Sequence, residues 1–470
     1  MGRKKSLPVL EKVRITDIGA EGNAVARVDN IVVFVPMLIP GDVVDIQVIK
    51  KKKKYLEGKV IRFHEYSTDR IKPLCSHFGI CGGCKWQHLP YHLQLYYKEK
   101  QVKDTLTRIG KVNLPDIQPI KGSSDIFLYR NKLEYTFSDK RWLTHDEVHS
   151  DNEFAKQDAL GFHIPGLFDK VLNIKECFLQ PEPSNLIRNA VREYAHKDRL
   201  LFFNLREQSG FLRNLVIRNS LEGKVMVIVV FFFEDKKRRE GLLNHILLKF
   251  PQITSLMYVI NSKRNDSLAD QDPILYAGDD HLIEEMDGLK FRIGPKSFYQ
   301  TNTKQALELY RITKDFAELT GNETVYDLYT GTGTIANFIA GSARKVIGIE
   351  YVEDAVKDAI INSGLNNIKN TIFVTGDIRS VLNGQFIIAY GNPDIIITDP
   401  PRAGMHGEVI EDILSAAPEK IVYISCNPST QARDIILMSE KYIVTKVQPV
   451  DMFPHTHHVE NVILLKRVVQ

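Results

Sequence analysis

The chain has 470 residues, 43% of them apolar, and a formal net charge of +4, a length that exceeds one hydrophobic core and predicts two to four domains. The mild basicity admits a nucleic-acid partner without requiring one. The longest apolar run, Val225 to Phe233, is too short to span a membrane, and the opening Met1-Gly-Arg-Lys-Lys-Ser6 lacks the apolar core of a secretory signal; a cytoplasmic chain is expected, monomeric by default, without membrane partner or structural disulfides.

Residues 1–64 read as a small all-β module. Alternating stretches at Val13-Arg14-Ile15, Ala24 to Val28, Ile31 to Val35 and Val43 to Ile49 are separated by turns at Gly19 to Asn23, Asp29-Asn30 and Gly41-Asp42, the pattern of an OB-like barrel. Between the last two strands stand five lysines, Lys50, Lys51, Lys52, Lys53 and Lys54. Such a run is either a solvated hairpin tip or a cationic grip on a phosphate backbone.

The five cysteines are unevenly placed: Cys75, Cys81 and Cys84 crowd together, while Cys177 and Cys426 stand apart. In a reducing compartment the crowded three are candidates for metal or cluster ligation, and Cys177 can supply a fourth thiolate. The glycines of Cys75-Ser-His-Phe-Gly-Ile-Cys81-Gly-Gly-Cys84 let the backbone fold tightly around a centre. The spacing of five residues then two is not the three-then-two pattern of radical S-adenosylmethionine enzymes. Zinc and an iron-sulfur cluster both suit four thiolates, and His77, His88 and His92 either compete as ligands or are structural.

Leu89 to Ile109 carries Leu93, Tyr96, Tyr97, Val102 and Leu106 at helical spacing and stops at Gly110, so a helix is expected that could pack on the C-terminal domain. The remainder of a central domain, residues 65–290, reads as strand-rich. Its Arg130-Asn131-Lys132 and Arg213-Asn214 either face RNA or serve as ordinary ion-pair partners. Ligation by Cys177 would close a loop of about a hundred residues and support folding.

From residue 291 to 470 strands and helices alternate, as in a Rossmann-like α/β domain. Thr303 to Leu319 fits a helix. Val325-Tyr-Asp327 ends a strand and enters Tyr329-Thr-Gly331-Thr-Gly333-Thr334, and Lys345 to Ile349 ends in Glu350. Thr371 to Val374 leads to Asp377, Asp394 to Thr398 leads to Asp399-Pro-Pro-Arg402, and Ile421 to Ser425 delivers Cys426-Asn-Pro428. Ligands in open α/β sheets bind at this carboxyl edge.

A glycine turn between strand and helix, with an acid ending the next strand, is the grammar of a nucleoside-cofactor site in which Glu350 accepts ribose hydroxyls. The turn lacks the three-glycine phosphate pattern of dinucleotide enzymes. The acids Asp327, Glu350, Asp377 and Asp399 instead suit the cationic sulfonium of S-adenosylmethionine. Asp399-Pro-Pro-Arg402 resembles the substrate-gripping loop of methyltransferases that act on planar nitrogenous bases. A thiol on the neighbouring strand end points to carbon-5 of a pyrimidine, which cannot attack a methyl group until a thiolate adds at carbon-6. Cys426 then reads as a nucleophile, against the plainer alternative of a buried structural thiol. The carbon-5 proton must afterwards leave, and Glu460 is the candidate base, although by position alone it reads as a surface glutamate at a strand start.

Together these motifs resemble the RNA uracil-C5-methyltransferases, specifically the iron-sulfur-containing RumA branch that acts on 23S rRNA. The resemblance spans the chain, from an N-terminal TRAM barrel and the Cys75, Cys81, Cys84 and Cys177 pattern to the Gly-Pro-x-Ser-Phe-x-Gln segment ending at Gln300. It continues through Asp399-Pro-Pro-Arg402, Ser425-Cys426-Asn427-Pro428 and His458-Val-Glu460. It implies a 4Fe-4S cluster on the four cysteines, Cys426 as nucleophile and Glu460 as proton acceptor. It also implies S-adenosylmethionine bound by Gln300, Tyr329, Thr334, Glu350, Asp377 and Asp399, with Asp399 also touching the uracil and Phe298 stacking on an unstacked base. The turn Tyr329-Thr-Gly-Thr-Gly-Thr334 departs from the best-known members, which have Phe, a Cys-Gly pair and Asn. The activity implied is methylation of carbon-5 of a 23S rRNA uridine. The alternatives are a tRNA uracil-C5-methyltransferase of the same mechanism, or a non-catalytic RNA-binding iron-sulfur protein.

Overall fold

Six strands between Val9 and Glu65 form one sheet, in the order Val9–Arg14, Val43–Lys51, Tyr55–Glu65, Ile31–Val35, Ala24–Val28, Asp17–Ile18. Alternation sends Ala24, Ala26, Val33, Val35, Val44 and Ile46 into a common core. Asp29 and Asn30, both at positive φ, make a two-residue hairpin turn whose twist matches its strands. Three register shifts between the two longest strands bend the sheet. The lysine run is divided by this pairing. Lys50 and Lys51 continue a strand, and Lys50 pairs with Glu57 at 2.9 Å, so the tip is Lys52 to Lys54 and not all five. The structure, a computed structural model, describes residues 7–111, 113–149, 158–268 and 270–468.

A second sheet runs Ile274–Gly278, Ile253–Ile260, Val225–Phe231, Leu212–Asn219, Lys132–Ser138, Ala159–Ile164, Leu167–Asn173. Val225–Phe231 is buried throughout, because Val225, Val227 and Val229 face one core while Met226, Ile228 and Val230 face another. The first core is completed by two helices, Ser184–Lys197 and Lys236–Lys249, where the sequence pattern predicts mainly strands. Inward polar residues break their apolar stripes. Arg188 is buried and donates to Lys175 O at 2.7 Å, and Arg239 is buried with its guanidinium over Tyr258.

The C-terminal sheet comprises β1 (Thr324–Leu328), β2 (Lys345–Glu350), β3 (Thr371–Thr375), β4 (Ile395–Thr398), β5 (Lys420–Ser425), β6 (Tyr442–Val450) and β7 (Glu460–Arg467). Their order is β3-β2-β1-β4-β5-β7-β6; β1 to β5 are parallel, and β7 is antiparallel to both neighbours. The order reverses between β1 and β4, the switch point at whose carboxyl edge ligands bind in open α/β sheets. Helix α1 (Tyr91–Arg108) places Val102 and Leu106 in one apolar cluster with Ile435 and Met438 of α2 (Pro428–Met438). No helix among the described residues is long and apolar enough to cross a membrane.

Candidate active site at the carboxyl edge

Cys426 follows the last residue of β5 and precedes Asn427, whose side chain accepts from Ser429 N at 3.1 Å to cap α2, with Pro428 in the first turn. Strand β5 pairs with β7 in a register that sets Ser425 against Asn461. One step further along the same register, Cys426 stands opposite Glu460. Glu460 is only 6% exposed, so the plain reading of a surface glutamate is wrong: it is the first residue of an interior strand. Burial, and then the neighbouring Asp399, push its carboxyl up to about 8, with the Arg402 guanidinium opposing. Burial likewise pushes the Cys426 thiol up to about 11, aided by Glu460 and Asp399, while a hydrogen bond from Arg402 pulls it down. Asp399, just past β4, is raised to about 7 by burial and by Asp327. Arg402 is fastened to this turn, since its carbonyl accepts from Asn427 Nδ2 at 3.1 Å and from Thr430 Oγ1 at 3.3 Å.

The glycine turn after β1 brings several predicted residues together. Glu350 accepts Gly331 N at 3.0 Å through one oxygen and Val352 N at 2.9 Å through the other, so the end of β2 is tied to the turn. Tyr329 sits in the left-handed region at φ 62°, and burial followed by the Asp377 charge pushes its hydroxyl up to about 12. Thr334 opens the helix Thr334–Ala340 with its hydroxyl 3.3 Å from Tyr310. Gly333 is required twice over: φ is +73°, and a Cβ there would lie 2.8 Å from Ala359 Cβ. Asp327 differs from the other acids. It is buried beneath the turn, bonded to Thr330 Oγ1, with its second oxygen unpartnered, and burial raises it to about 7. Asp377 caps the short helix Ile378–Val381 and is engaged by the side chain of Arg379.

Phe298 is 71% exposed while the next residue, Tyr299, is buried. Their segment is held from the central sheet. Asn131 Nδ2 donates to Gln300 O and to Thr303 Oγ1, both at 2.9 Å, and Asn131 N donates to Thr301 O at 2.8 Å. Asn131 is thus a buried bracket and not an RNA-facing group. Arg213 and Asn214 are buried too; Arg213 closes the 261–266 loop through Asn261 O at 2.7 Å and Lys263 O at 2.6 Å. Arg130 lies with its guanidinium 5.2 Å from the Phe453 ring centre.

Cys75, Cys81, Cys84 and Cys177 line one cavity of about 170 Å³, together with Arg130 and Gln87. Burial pushes Cys81 up to about 11 and Cys84 up to about 12, and each of the two feels the other cysteines. Among the described residues no group of three or more His, Cys, Asp or Glu side chains is set to hold a metal ion. Of the nearby histidines, His77 accepts Lys175 N at 3.0 Å, while His88 is buried with its ring tilted against Phe78 and both ring nitrogens unpartnered.

Comparison with known proteins gives the class: the chain is an S-adenosylmethionine-dependent RNA methyltransferase. The family model for tRNA (Uracil-5-)-methyltransferase matches residues 276–468, and that for the TRAM domain matches 11–61. A Bacteroides thetaiotaomicron protein described as an uncharacterized RNA methyltransferase is 57% identical over 452 residues, 96% of this chain and 100% of its own. One from Porphyromonas gingivalis, described the same way, is 56% identical over 462 residues, 97% of this chain and 99% of its own. Among solved structures, the Pyrococcus abyssi tRNA (uracil-54, C5)-methyltransferase in complex with S-adenosyl-L-homocysteine matches with a TM-score of 0.75 at 27% identity, covering 97% of this chain and 100% of that one. The chain belongs to the RNA uracil-C5-methyltransferase family with a TRAM domain.

Proposed function

We propose that this chain methylates carbon-5 of a uridine in 23S rRNA through a covalent bond between Cys426 and carbon-6 of the base. The observation that carries the reading is the opposition of Cys426 and Glu460 across β5 and β7, with Asp399 and Arg402 beside them. Cys426 adds as the thiolate at carbon-6 and makes carbon-5 an enolate carbon; the Arg402 guanidinium opposes the burial and the Glu460 and Asp399 charges that hold its thiol up. S-adenosylmethionine supplies an electrophilic methyl group and leaves as a neutral thioether. Glu460 then takes the carbon-5 proton, the ring double bond re-forms, and the carbon-sulfur bond breaks. A carboxyl raised to about 8 is matched to proton removal near neutral pH.

Gln300, Tyr329, Thr334, Glu350, Asp377 and Asp399 are assigned to the cofactor, Glu350 at the ribose hydroxyls. Asp377 is bonded by Arg379 in this structure. Asp399 also meets the uracil, and exposed Phe298 supports the extruded base. Lys51 to Lys54 contact phosphates, with Lys50 held back by Glu57. Residues 1–64, 65–290 and 291–470 serve as RNA grip, cysteine-bearing domain and catalytic domain. Cys75, Cys81, Cys84 and Cys177 are assigned to a 4Fe-4S cluster on the resemblance and on their lining a single cavity, although in this structure their sulfurs are not drawn together as a ready ion site. Its part is to tie residues 75–84 to Cys177, and no chemical step passes through it.

A second reading, tRNA as substrate, is supported by the match over its full length to the Pyrococcus abyssi enzyme. The test is to incubate the protein with methyl-labelled S-adenosylmethionine and either a 23S rRNA or a tRNA transcript, then map label by mass spectrometry. 5-Methyluridine in the 23S transcript is the expected result. Label only in tRNA selects the second reading, and label in neither rejects both.

A further inference from the structure

The connection from β6 to β7, residues 451–459, ends at Glu460 and contains no strand or helix of its own. Its path is set from outside the C-terminal sheet. Gln94 of α1 accepts His455 N at 2.8 Å, and its Nε2 lies 3.1 Å from His455 Nδ1. The same amide nitrogen donates to Trp86 O at 3.1 Å and Leu89 O at 2.8 Å. Lys98, one helical turn on, bonds Asp451 Oδ1 at 2.5 Å and Phe453 O at 3.1 Å. The backbone N–H groups of Lys85 and Trp86 close the grip on His455 O at 2.9 and 3.0 Å. Residues 451, 453 and 455 are therefore each held, and the few residues left run directly into the proton acceptor.

Gln94 and Lys98 are both 0% exposed and sit at i and i+4 on the face of α1 that also carries Val102. For packing alone, an apolar pair of similar volume would serve as well, because burying a Lys–Asp pair costs desolvation that its attraction seldom exceeds. What an apolar pair cannot do is fix a loop in one register. Directional bonds to two backbone groups and a carboxylate do so.

We propose that Gln94 and Lys98 are positioning residues that clamp the 451–459 connection and thereby aim Glu460 at the carbon-5 proton. This rests on the function proposed above. It assigns the clamp to one step, proton removal and release, and not to cofactor binding or thiolate addition.

The full-length Lys98→Met/Asp451→Asn double variant tests it, since no unpaired buried charge remains to unfold the protein; Gln94→Leu is the second variant. Adduct formation is timed on 23S rRNA and tRNA transcripts carrying 5-fluorouridine, which halts before proton loss, and turnover is timed on ordinary transcripts. Thermal melting and S-adenosylmethionine affinity are measured alongside. The expected result is wild-type affinity and adduct rate, with turnover slowed roughly tenfold to a hundredfold, the scale of a misplaced catalytic group, and a protein-RNA adduct accumulating on ordinary uridine. Adduct formation falling in step with turnover overturns the proposal, as does turnover unchanged in both variants. If the wild-type protein forms no adduct on either 5-fluorouridine transcript, the proposed function itself fails.

Discussion

Replacing Glu460 with Gln keeps the shape of the side chain and removes its titration. In the folded protein burial and Asp399 hold this carboxyl at about 8 instead of the ordinary 4.5. A carboxyl raised on folding contributes stability fully present below its unfolded pKa and lost as pH rises through the folded one. The window here runs from about 4.5 to about 8. The difference of about 3.5 units sets a ceiling of ~5 kcal/mol, and sharing of the repulsion with Asp399, itself raised to about 7, reduces the expected loss to about 2–4 kcal/mol. Wild type should therefore lose several degrees of Tm between pH 5 and pH 8.5 that Glu460→Gln keeps, at about 2–4 °C per kcal/mol for a unit of this size. Melting curves of both proteins across that range, without ligands, give the answer. A Tm gap that stays constant with pH refutes the assignment of a buried, raised carboxyl.

Gly333→Ala should abolish S-adenosylmethionine binding by calorimetry and cost about 2–4 kcal/mol, because its methyl group meets Ala359 and Phe373 at 2.8–3.0 Å in a left-handed backbone. Glu318, held down to about 2 by hydrogen bonds from Lys446, Lys466 and Lys420, contributes stability present above about pH 4.5 and lost as pH falls through 2. Since its side chain is about a third exposed, Glu318→Gln should cost only about 1 kcal/mol in low salt at pH 7, and less in 1 M salt by urea unfolding. Neutralising Lys52, Lys53 and Lys54 to Gln should weaken RNA binding and make its salt dependence shallower, by about one unit of slope for each phosphate that a lysine no longer neutralises. An unaltered slope would assign the lysine tip to solvent.

Strands β1 to β5 were legible because each apolar run is short, β-branched and stopped by a polar or glycine turn, whereas β6, which carries Thr445, Lys446, Gln448 and Pro449 among its apolar residues, was not. Cys426 stood out because the chemistry of carbon-5 demands a thiol there. Glu460 was legible only through that chemistry. Its burial depends on β7 lying inside the sheet between β5 and β6, a pairing between distant segments that no local pattern carries. The inner face of α1 was not legible for the opposite reason: Gln94 and Lys98 are polar at positions where helical periodicity expects apolar side chains, because they bind a loop more than 350 residues away. The bracketing role of Asn131 was hidden on the same ground, since its partners lie about 170 residues on. The lysine tip is shorter than the run because charge says nothing about where strand pairing stops, and the pairing of Lys51 with Leu56 places that limit.

The central claim is a bond between Cys426 and RNA. Wild-type protein and Cys426→Ala are incubated with S-adenosylmethionine and 5-fluorouridine-containing 23S rRNA or tRNA transcripts, digested, and the cross-linked peptide is sequenced by mass spectrometry. The account predicts a methylated 5-fluorouridine nucleotide joined to the peptide at Cys426, and none in the alanine variant. A cross-link at another residue, or methylated uridine produced by Cys426→Ala, contradicts it.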